Sequence, residues 1–169
     1  MKNKTLVVIK PDGIKKSLTG NILSRLSETK LRIIGAKVLH VTRELAEKHY
    51  SHLVGKPFFE DVVRYVSGEV YDEPYRRVLA LVYEGDDAVA KVRLLAGATN
   101  PEEADASSIR GQYGRITSSG IFENVLHCSA TPEEAVSEIK LWFEPDEIVE
   151  EIYPTETVEV KVKKLVWKK

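Results

Sequence analysis

Apolar and polar residues fall into blocks whose period changes along the chain, and each period predicts an element. Thr5-Leu6-Val7-Val8-Ile9 is a compact, β-branched run stopped by Pro11-Asp12-Gly13, the pattern of a central buried strand. From Leu18 through Ile22 to Leu26 the spacing is helical, and an extended run from Leu31 to Val41 follows, interrupted by Gly35. Thr42 is placed to cap a short helix carrying Leu45, His49, Tyr50 and Leu53 that ends near Gly55. Pro57-Phe58-Phe59 opens another, with Phe59, Val62, Val63 and Val66 on one stripe and Gly68 at its end. These two make a helical hairpin. Arg77 to Tyr83 reads as the third strand, and Gly85-Asp86-Asp87 starts a helix bearing Val89, Val92, Leu95 and Ala96 before Gly97.

A long, mostly irregular segment is expected between Gly97 and Asn124, and segments of that length in small domains are usually functional or disordered. Asn124 to Ala130 is the fourth strand, on which alternation puts Val125, His127 and Ser129 on one face and Leu126 and Cys128 on the other. In Thr131-Pro132-Glu133-Glu134, Thr131 suits an N-cap, Pro132 the first helical position, and Glu134 the far half of a capping box. The helix that follows has an apolar arc of Ala135, Val136, Ile139, Trp142 and Phe143. After Tyr153-Pro154, the strict alternation Val158-Glu159-Val160-Lys161-Val162-Lys163 predicts an extra C-terminal strand. The basic and apolar Lys164–Lys169 reads as an edge with lysine gatekeepers.

The order βαβ, helical hairpin, β, α, long loop, β predicts an α/β (α+β) sandwich. It is a ferredoxin-like split βαβ with a four-stranded antiparallel sheet and helices on one face. We expect one domain over residues 1–153 and an extension, 154–169, that forms an edge strand of that domain or an oligomer contact.

Composition narrows the function. A chain of 169 residues with 43% hydrophobic residues can bury a proper core without staples. The single cysteine, Cys128, excludes an internal disulfide and multi-cysteine metal sites, and suits a reducing cytoplasm. A net charge of −1 favours neither nucleic acid nor an acidic partner, so any anion site must be local. The apolar run near the N-terminus is too short for a signal peptide or a membrane span, so the expectation is a soluble, cytoplasmic protein.

There is no Walker loop, GxGxxG, HExxH or GxSxG. What remains is a dispersed set of anion-binding types, Lys10, Arg93 and Arg110 with Thr99 and Asn124, and one candidate nucleophile, His127, at a strand end before a helix N-terminus. A neutral imidazole is a good phosphoryl acceptor near pH 7, provided its other ring nitrogen is held. Glu138, at the edge of the last helix's apolar arc, is the candidate holder, against the plainer reading of a solvated glutamate. His40, His49 and His52 read as ordinary structural histidines, and Phe58 and Phe59 as packing residues unless one ring is exposed beside a basic cleft.

The ordered motifs of this chain resemble the nucleoside diphosphate kinase family. The match runs from Val8-Ile9-Lys10-Pro11-Asp12-Gly13 through His49-Tyr50, Lys56-Pro57-Phe58-Phe59 and Gly97-Ala98-Thr99-Asn100-Pro101. It continues through Ile109-Arg110-Gly111 and Asn124-Val125-Leu126-His127 to Ser137-Glu138-Ile139-Lys140-Leu141-Trp142-Phe143. The resemblance implies ping-pong transfer of a terminal phosphoryl group from a nucleoside triphosphate to a nucleoside diphosphate through a phosphohistidine at His127. It implies that Lys10, Tyr50, Arg93, Thr99, Arg110 and Asn124 hold phosphates and sugar, that Phe58 stacks on the base, and that Ser129 and Glu138 orient His127. It also implies Mg²⁺ carried by the nucleotide rather than by a protein cage, and a homo-oligomer, tetramer or hexamer.

The chain departs from the family pattern where that pattern is most diagnostic. His127-Cys128-Ser129-Ala130-Thr131 stands where His-Gly-Ser-Asp-Ser is usual, Gln112 replaces an acid, and the segments Glu69 to Arg76 and Tyr113 to Glu123 are longer than usual. Two other readings therefore stay open: a nucleotide-binding regulatory module with weakened catalysis, and a structural scaffold. Cys128 is expected to be a small packing residue pointing away from His127.

Overall fold

We describe a computed structural model of the chain, covering residues 1–163, 165 and 167. In chain order the first elements are β1 (Lys2–Ile9), α1 (Pro11–Lys15), α2 (Thr19–Ser27), β2 (Arg32–Leu39), α3 (Arg43–His49) and α4 (Phe59–Val66). They are followed by β3 (Val78–Asp86), α5 (Ala88–Ala96), α6 (Ile109–Tyr113), β4 (Arg115–Ile116), β5 (Phe122–Glu123), β6 (Leu126–Cys128) and α7 (Pro132–Trp142). The main sheet has the order β2-β3-β1-β6, and β1 runs antiparallel to both of its neighbours, as β2 does to β3. This is the expected ferredoxin-like sheet. β4 and β5 form a separate two-stranded ribbon.

Helices cover both faces of the sheet, not one. Leu6 and Val8 of β1 pack with Val63 and Val66 of α4 and Ile139 and Trp142 of α7, whereas Val7 and Ile9 pack with Ile22 and Leu26 of α2 and Val92 of α5. The reason lies in β1, where consecutive residues from Thr5 to Ile9 are all buried. A strand apolar on both sides has to be covered on both sides.

Local signals account for several boundaries. Thr42 Oγ1 accepts the Leu45 N–H at 3.2 Å and starts α3, and Thr131 Oγ1 accepts the Glu134 N–H at 3.1 Å and starts α7. The capping box is only half made, because the Glu134 carboxylate takes the Ala130 N–H at 3.2 Å instead of that of Thr131. Gly35 sits where β2 slips its register against β3.

The segment from Gly97 to Asn124 is more ordered than expected. Ser108 caps α6 through the Gly111 N–H, and the β4–β5 hairpin follows. The expected C-terminal strand does not form: residues 154–163 lie in no ladder, and Val158, Val160 and Val162 are 65–76% exposed. An alternating segment becomes a strand only against a partner edge, and the first half of β2 is already taken by Ile148 and Val149. The lysine-flanked reading of 164–169 falls mostly outside the described residues.

Candidate active site

His127 belongs to β6 and pairs with Val8 of the central strand. Its position depends on a break in the alternation just before it. Val125 has φ +58, a left-handed conformation that β-branched residues seldom adopt, and its side chain is buried with Leu126 and Cys128 instead of sharing a face with His127. Three contacts hold this kink. Lys10 N–H donates to Val125 O at 2.8 Å, Val125 N–H donates to Asp12 Oδ2 at 3.1 Å, and Tyr65 Oη donates to Asp12 Oδ1 at 2.7 Å. Asp12, only 1% exposed, is thus a buried carboxylate serving two elements. Backbone strain held by such an anchor is characteristic of functional sites.

Behind the imidazole, His127 Nε2 lies 2.9 Å from Glu138 Oε1, with its N–H off the direct line to the oxygen. Glu138 Oε2 accepts the Ser129 hydroxyl at 2.6 Å, and Ser129 Oγ accepts the Leu6 N–H at 3.0 Å. With Nε2 buried against Glu138, the nitrogen that the cavity can reach is Nδ1. Burial, then the charges of Lys10 and Arg110, holds the His127 pKa well below the usual imidazole value, so the ring is neutral at pH 7. Burial raises the Glu138 pKa, and the Ser129 hydrogen bond opposes that rise.

His127 opens onto a cavity of about 610 Å³. Its walls bring together Lys10, Tyr50, Phe58, Arg93, Thr99, Arg110, Asn124 and Glu138, with Ser129 immediately behind Glu138. All ten residues singled out in the sequence therefore converge on one place. Lys10 Nζ donates to Asn124 Oδ1 at 2.8 Å, and Asn124 Nδ2 donates to Thr99 O at 2.8 Å. Arg110 donates to Gly97 O at 2.8 Å and to Leu126 O at 3.1 Å, while its buried Nε has no partner. A guanidinium fixed on the cavity wall by two backbone carbonyls presents its charge to an incoming anion. Burial and the nearby Arg110 charge lower the Lys10 pKa to about 7.

Gly97 makes the Arg110 arrangement possible. It sits at φ +83, and a Cβ there would lie 2.2 Å from Ser108 Oγ.

The surroundings of His127 were only partly visible in the sequence. His49 is no bystander: its ring packs edge-on to that of His127 with centroids 4.4 Å apart, and its Nδ1 accepts Trp142 Nε1–H at 3.1 Å. Burial brings its pKa down to about 3, so it packs as a neutral ring. His49, His127 and Glu138 offer ligand atoms within 4.8 Å of one another, a cluster of types able to hold a metal ion. Ala130 lacks the carboxylate of the family pattern, yet Glu134, one turn further on, lines the same cavity. Cys128 is 3% exposed within the second core cluster and borders the cavity, and burial raises its thiol pKa. It behaves as a packing residue.

A ferredoxin-like domain carrying a neutral, carboxylate-held histidine in a cationic cavity defines a class, that of histidine-centred phosphoryl carriers. Comparison with known proteins narrows it. The family model described as nucleoside diphosphate kinase matches residues 3–148. A nucleoside diphosphate kinase of Listeria monocytogenes serotype 4b is 44% identical over 147 residues, spanning 86% of this chain and 92% of that protein. The structure of a halophilic nucleoside diphosphate kinase from Halobacterium salinarum in complex with CDP superposes with a TM-score of 0.78 at 36% identity, over 89% of this chain and 93% of that one. A Borrelia burgdorferi nucleoside-diphosphate kinase with bound vanadate and ADP, a transition-state mimic, gives 0.77 at 31% identity, over 92% and 94%. The chain belongs to the nucleoside diphosphate kinase family and is an enzyme of phosphoryl transfer. Among the described residues no helix is long and apolar enough to cross a membrane.

Proposed function

We propose that this chain moves the terminal phosphoryl group of a nucleoside triphosphate to a nucleoside diphosphate through phospho-His127. The observation that carries the reading is the setting of His127, with Nε2 against Glu138 and the ring on the wall of the cavity that Lys10 and Arg110 also line. In the first half-reaction the neutral Nδ1 attacks the γ-phosphorus and the bond to the bridging oxygen breaks, releasing the diphosphate. Positive charge growing on the ring is met by Glu138, whose own charge is kept by the Ser129 hydroxyl. In the second half-reaction a terminal oxygen of the incoming diphosphate attacks the same phosphorus and the imidazole leaves neutral. Lys10, Arg93 and Arg110 stabilise charge on the transferring and leaving oxygens. Tyr50, Thr99 and Asn124 contact phosphate or sugar, and Phe58, at 49% exposure on the cavity wall, supplies the face on which a base stacks. The relatives solved with CDP and with ADP and vanadate support this seating.

Mg²⁺ fits as an ion brought by the nucleotide. The cavity offers the carboxylates of Asp61 and Glu134 as outer oxygen partners, whereas the His49–His127–Glu138 cluster is rich in nitrogen, a poor ligand type for this ion. When bound, it neutralises phosphate charge. We place the enzyme in the cytoplasm, in keeping with its free thiol, and as a homo-oligomer of tetrameric or hexameric size. Residues 1–153 form the catalytic domain and 154–169 an extension. The unpaired Val158, Val160 and Val162 support its use between copies.

The test is direct. Pure protein given ATP and Mg²⁺ and then GDP yields GTP and an acid-labile phosphoprotein, and His127→Ala abolishes both. Tight nucleotide binding with an unphosphorylated His127 would overturn the catalytic reading. Native mass spectrometry gives the subunit number.

A further inference from the structure

The stretch after α7 is divided by charge, and neither half takes part in the chemistry above. Residues 144–156 carry Glu144, Asp146, Glu147, Glu150, Glu151 and Glu156 and no lysine or arginine. Residues 157–169 carry Lys161, Lys163, Lys164, Lys168 and Lys169 against the single Glu159. One half is strongly negative and the next strongly positive, although the whole chain stands at −1. The positive half lies beyond residues 3–148, the part that matches the family model.

The negative half leaves a groove of about 650 Å³ against α7. Phe143, Ile148 and Ile152 give the groove an apolar lining. Glu147 and Glu150 are already paired with Lys37 and Arg32. Asp146, Glu151 and Glu156 also line the groove, stand exposed, and make no ion pair among the described residues. The positive half contributes nothing to this groove, whose lining stops at Glu156. It is in no ladder, and as an extended segment it puts the exposed Val158, Val160 and Val162 on one side and Lys161 and Lys163 on the other. An apolar groove with spare acids and a segment with one apolar side and spare lysines are complementary surfaces. The chain is poorly built to seat its own segment. To return over residues 144–156 it would have to reverse directly after Glu156. Thr155 to Val162 offers no Gly, Pro, Asn or Asp for such a turn, and its threonines and valines are β-branched. Two such segments do not suit each other either, since pairing them sets lysine against lysine.

We propose that the segment beginning at Val158 docks in the groove of a second copy of this chain. Its valines lie on Phe143, Ile148 and Ile152, and its lysines meet Asp146, Glu151 and Glu156. Every chain carries both surfaces, so a reciprocal exchange about a two-fold axis closes the pair. Exposed ion pairs are individually weak and screened by salt, so the apolar contact holds the segment while the charges select its partner and register. The inference rests on the homo-oligomeric reading under the proposed function and names a surface through which two copies are joined.

The experiment mixes ¹⁵N-labelled and unlabelled full-length protein, couples lysine amines to carboxylates with a zero-length reagent, and reads the linked peptides by mass spectrometry. Lys161 or Lys163 should be joined to Asp146, Glu151 or Glu156 in peptides that pair a labelled with an unlabelled chain, and high salt should suppress them. In sedimentation, Lys161→Glu with Lys163→Glu should raise the concentration at which subunits separate by about tenfold. Adding Asp146→Lys and Glu151→Lys to that chain should restore the association and the links. Links confined to a single chain overturn the proposal. So does binding to vesicles of anionic phospholipid that needs Lys161 and Lys163 while no link to the groove forms. An oligomer without these links overturns the contact and leaves the homo-oligomeric reading standing, whereas a monomer at every concentration overturns both.

Discussion

Ser129→Ala isolates the link between the hydroxyl behind the carboxylate and the chemistry at the histidine. The serine holds two groups: it accepts the Leu6 N–H at 3.0 Å and donates to Glu138 Oε2 at 2.6 Å. Alanine leaves a buried N–H unpaired, which costs about 1–3 kcal/mol, and removes a hydrogen bond to a charged acceptor worth about 1.5–3 kcal/mol. Because part of the second loss is recovered when Glu138 takes up a proton, the expected fall in stability near neutral pH is about 2–4 kcal/mol. The kinetic effect follows from the charge. Ser129 opposes the upward pull of burial on Glu138, so its removal raises the Glu138 pKa further.

A protonated Glu138 no longer answers the charge that grows on His127. Rapid-quench measurement of His127 phosphorylation by ATP, across pH values of about 5 to 9, reads this as an acid limb. In Ser129→Ala that limb should lie at higher pH than in the wild type, and in Glu138→Gln it should disappear at a uniformly lower rate. The linkage has a definite sign. A carboxyl with raised folded pKa binds its proton more readily in the folded state, so stability from this group grows as pH falls through that pKa, and more so in the alanine variant. A folded Ser129→Ala protein with an unmoved acid limb would refute the reasoning.

Three other outcomes follow from the same geometry. Lys10 has a folded pKa of about 7 against 10.5 for free lysine, so stability from this group should rise with pH between those values, at up to about 1.4 kcal/mol per pH unit, and Lys10→Met should flatten the slope in denaturant titrations. Asp12→Ala strands the Tyr65 hydroxyl and the Val125 N–H, and a loss of about 2–5 kcal/mol in chemical denaturation, together with a slower phosphorylation step, is expected. Gly97→Ala faces both a left-handed φ and Ser108 Oγ, and should lower the melting temperature and weaken nucleotide binding measured by calorimetry, because Arg110 loses its carbonyl anchor.

Much of the site was legible because its motifs are short and ordered. The cap at Thr131 and the strand-end position of His127 depend on neighbours in sequence, and local rules reach them. Glu138 was legible only as an edge position on an amphipathic helix. Its role depends on Ser129 and His127, which approach it across the junction of β6 and α7. His49 is the structural histidine the sequence suggested, but its packing against His127 was not legible for the same reason. It lies in α3, far from His127 in sequence, and nothing in its neighbourhood announces a partner. The alternation argument placed Val125 on the wrong face because it assumes regular strand geometry, and Asp12 and Lys10 hold that residue out of it.

The sequence by itself determined which elements form and which residue types are available: an inner strand apolar on both sides, helices started by threonine caps, and one histidine ahead of a capped helix. Those properties are short-range, set by propensity, capping and periodicity. Only the tertiary structure decided which charges are buried and which nitrogen of His127 is tethered. It alone decided that two long segments, some fifty residues apart, lock together through Glu123. These depend on desolvation and on contacts between distant residues, which become definite once the two faces of the sheet are packed.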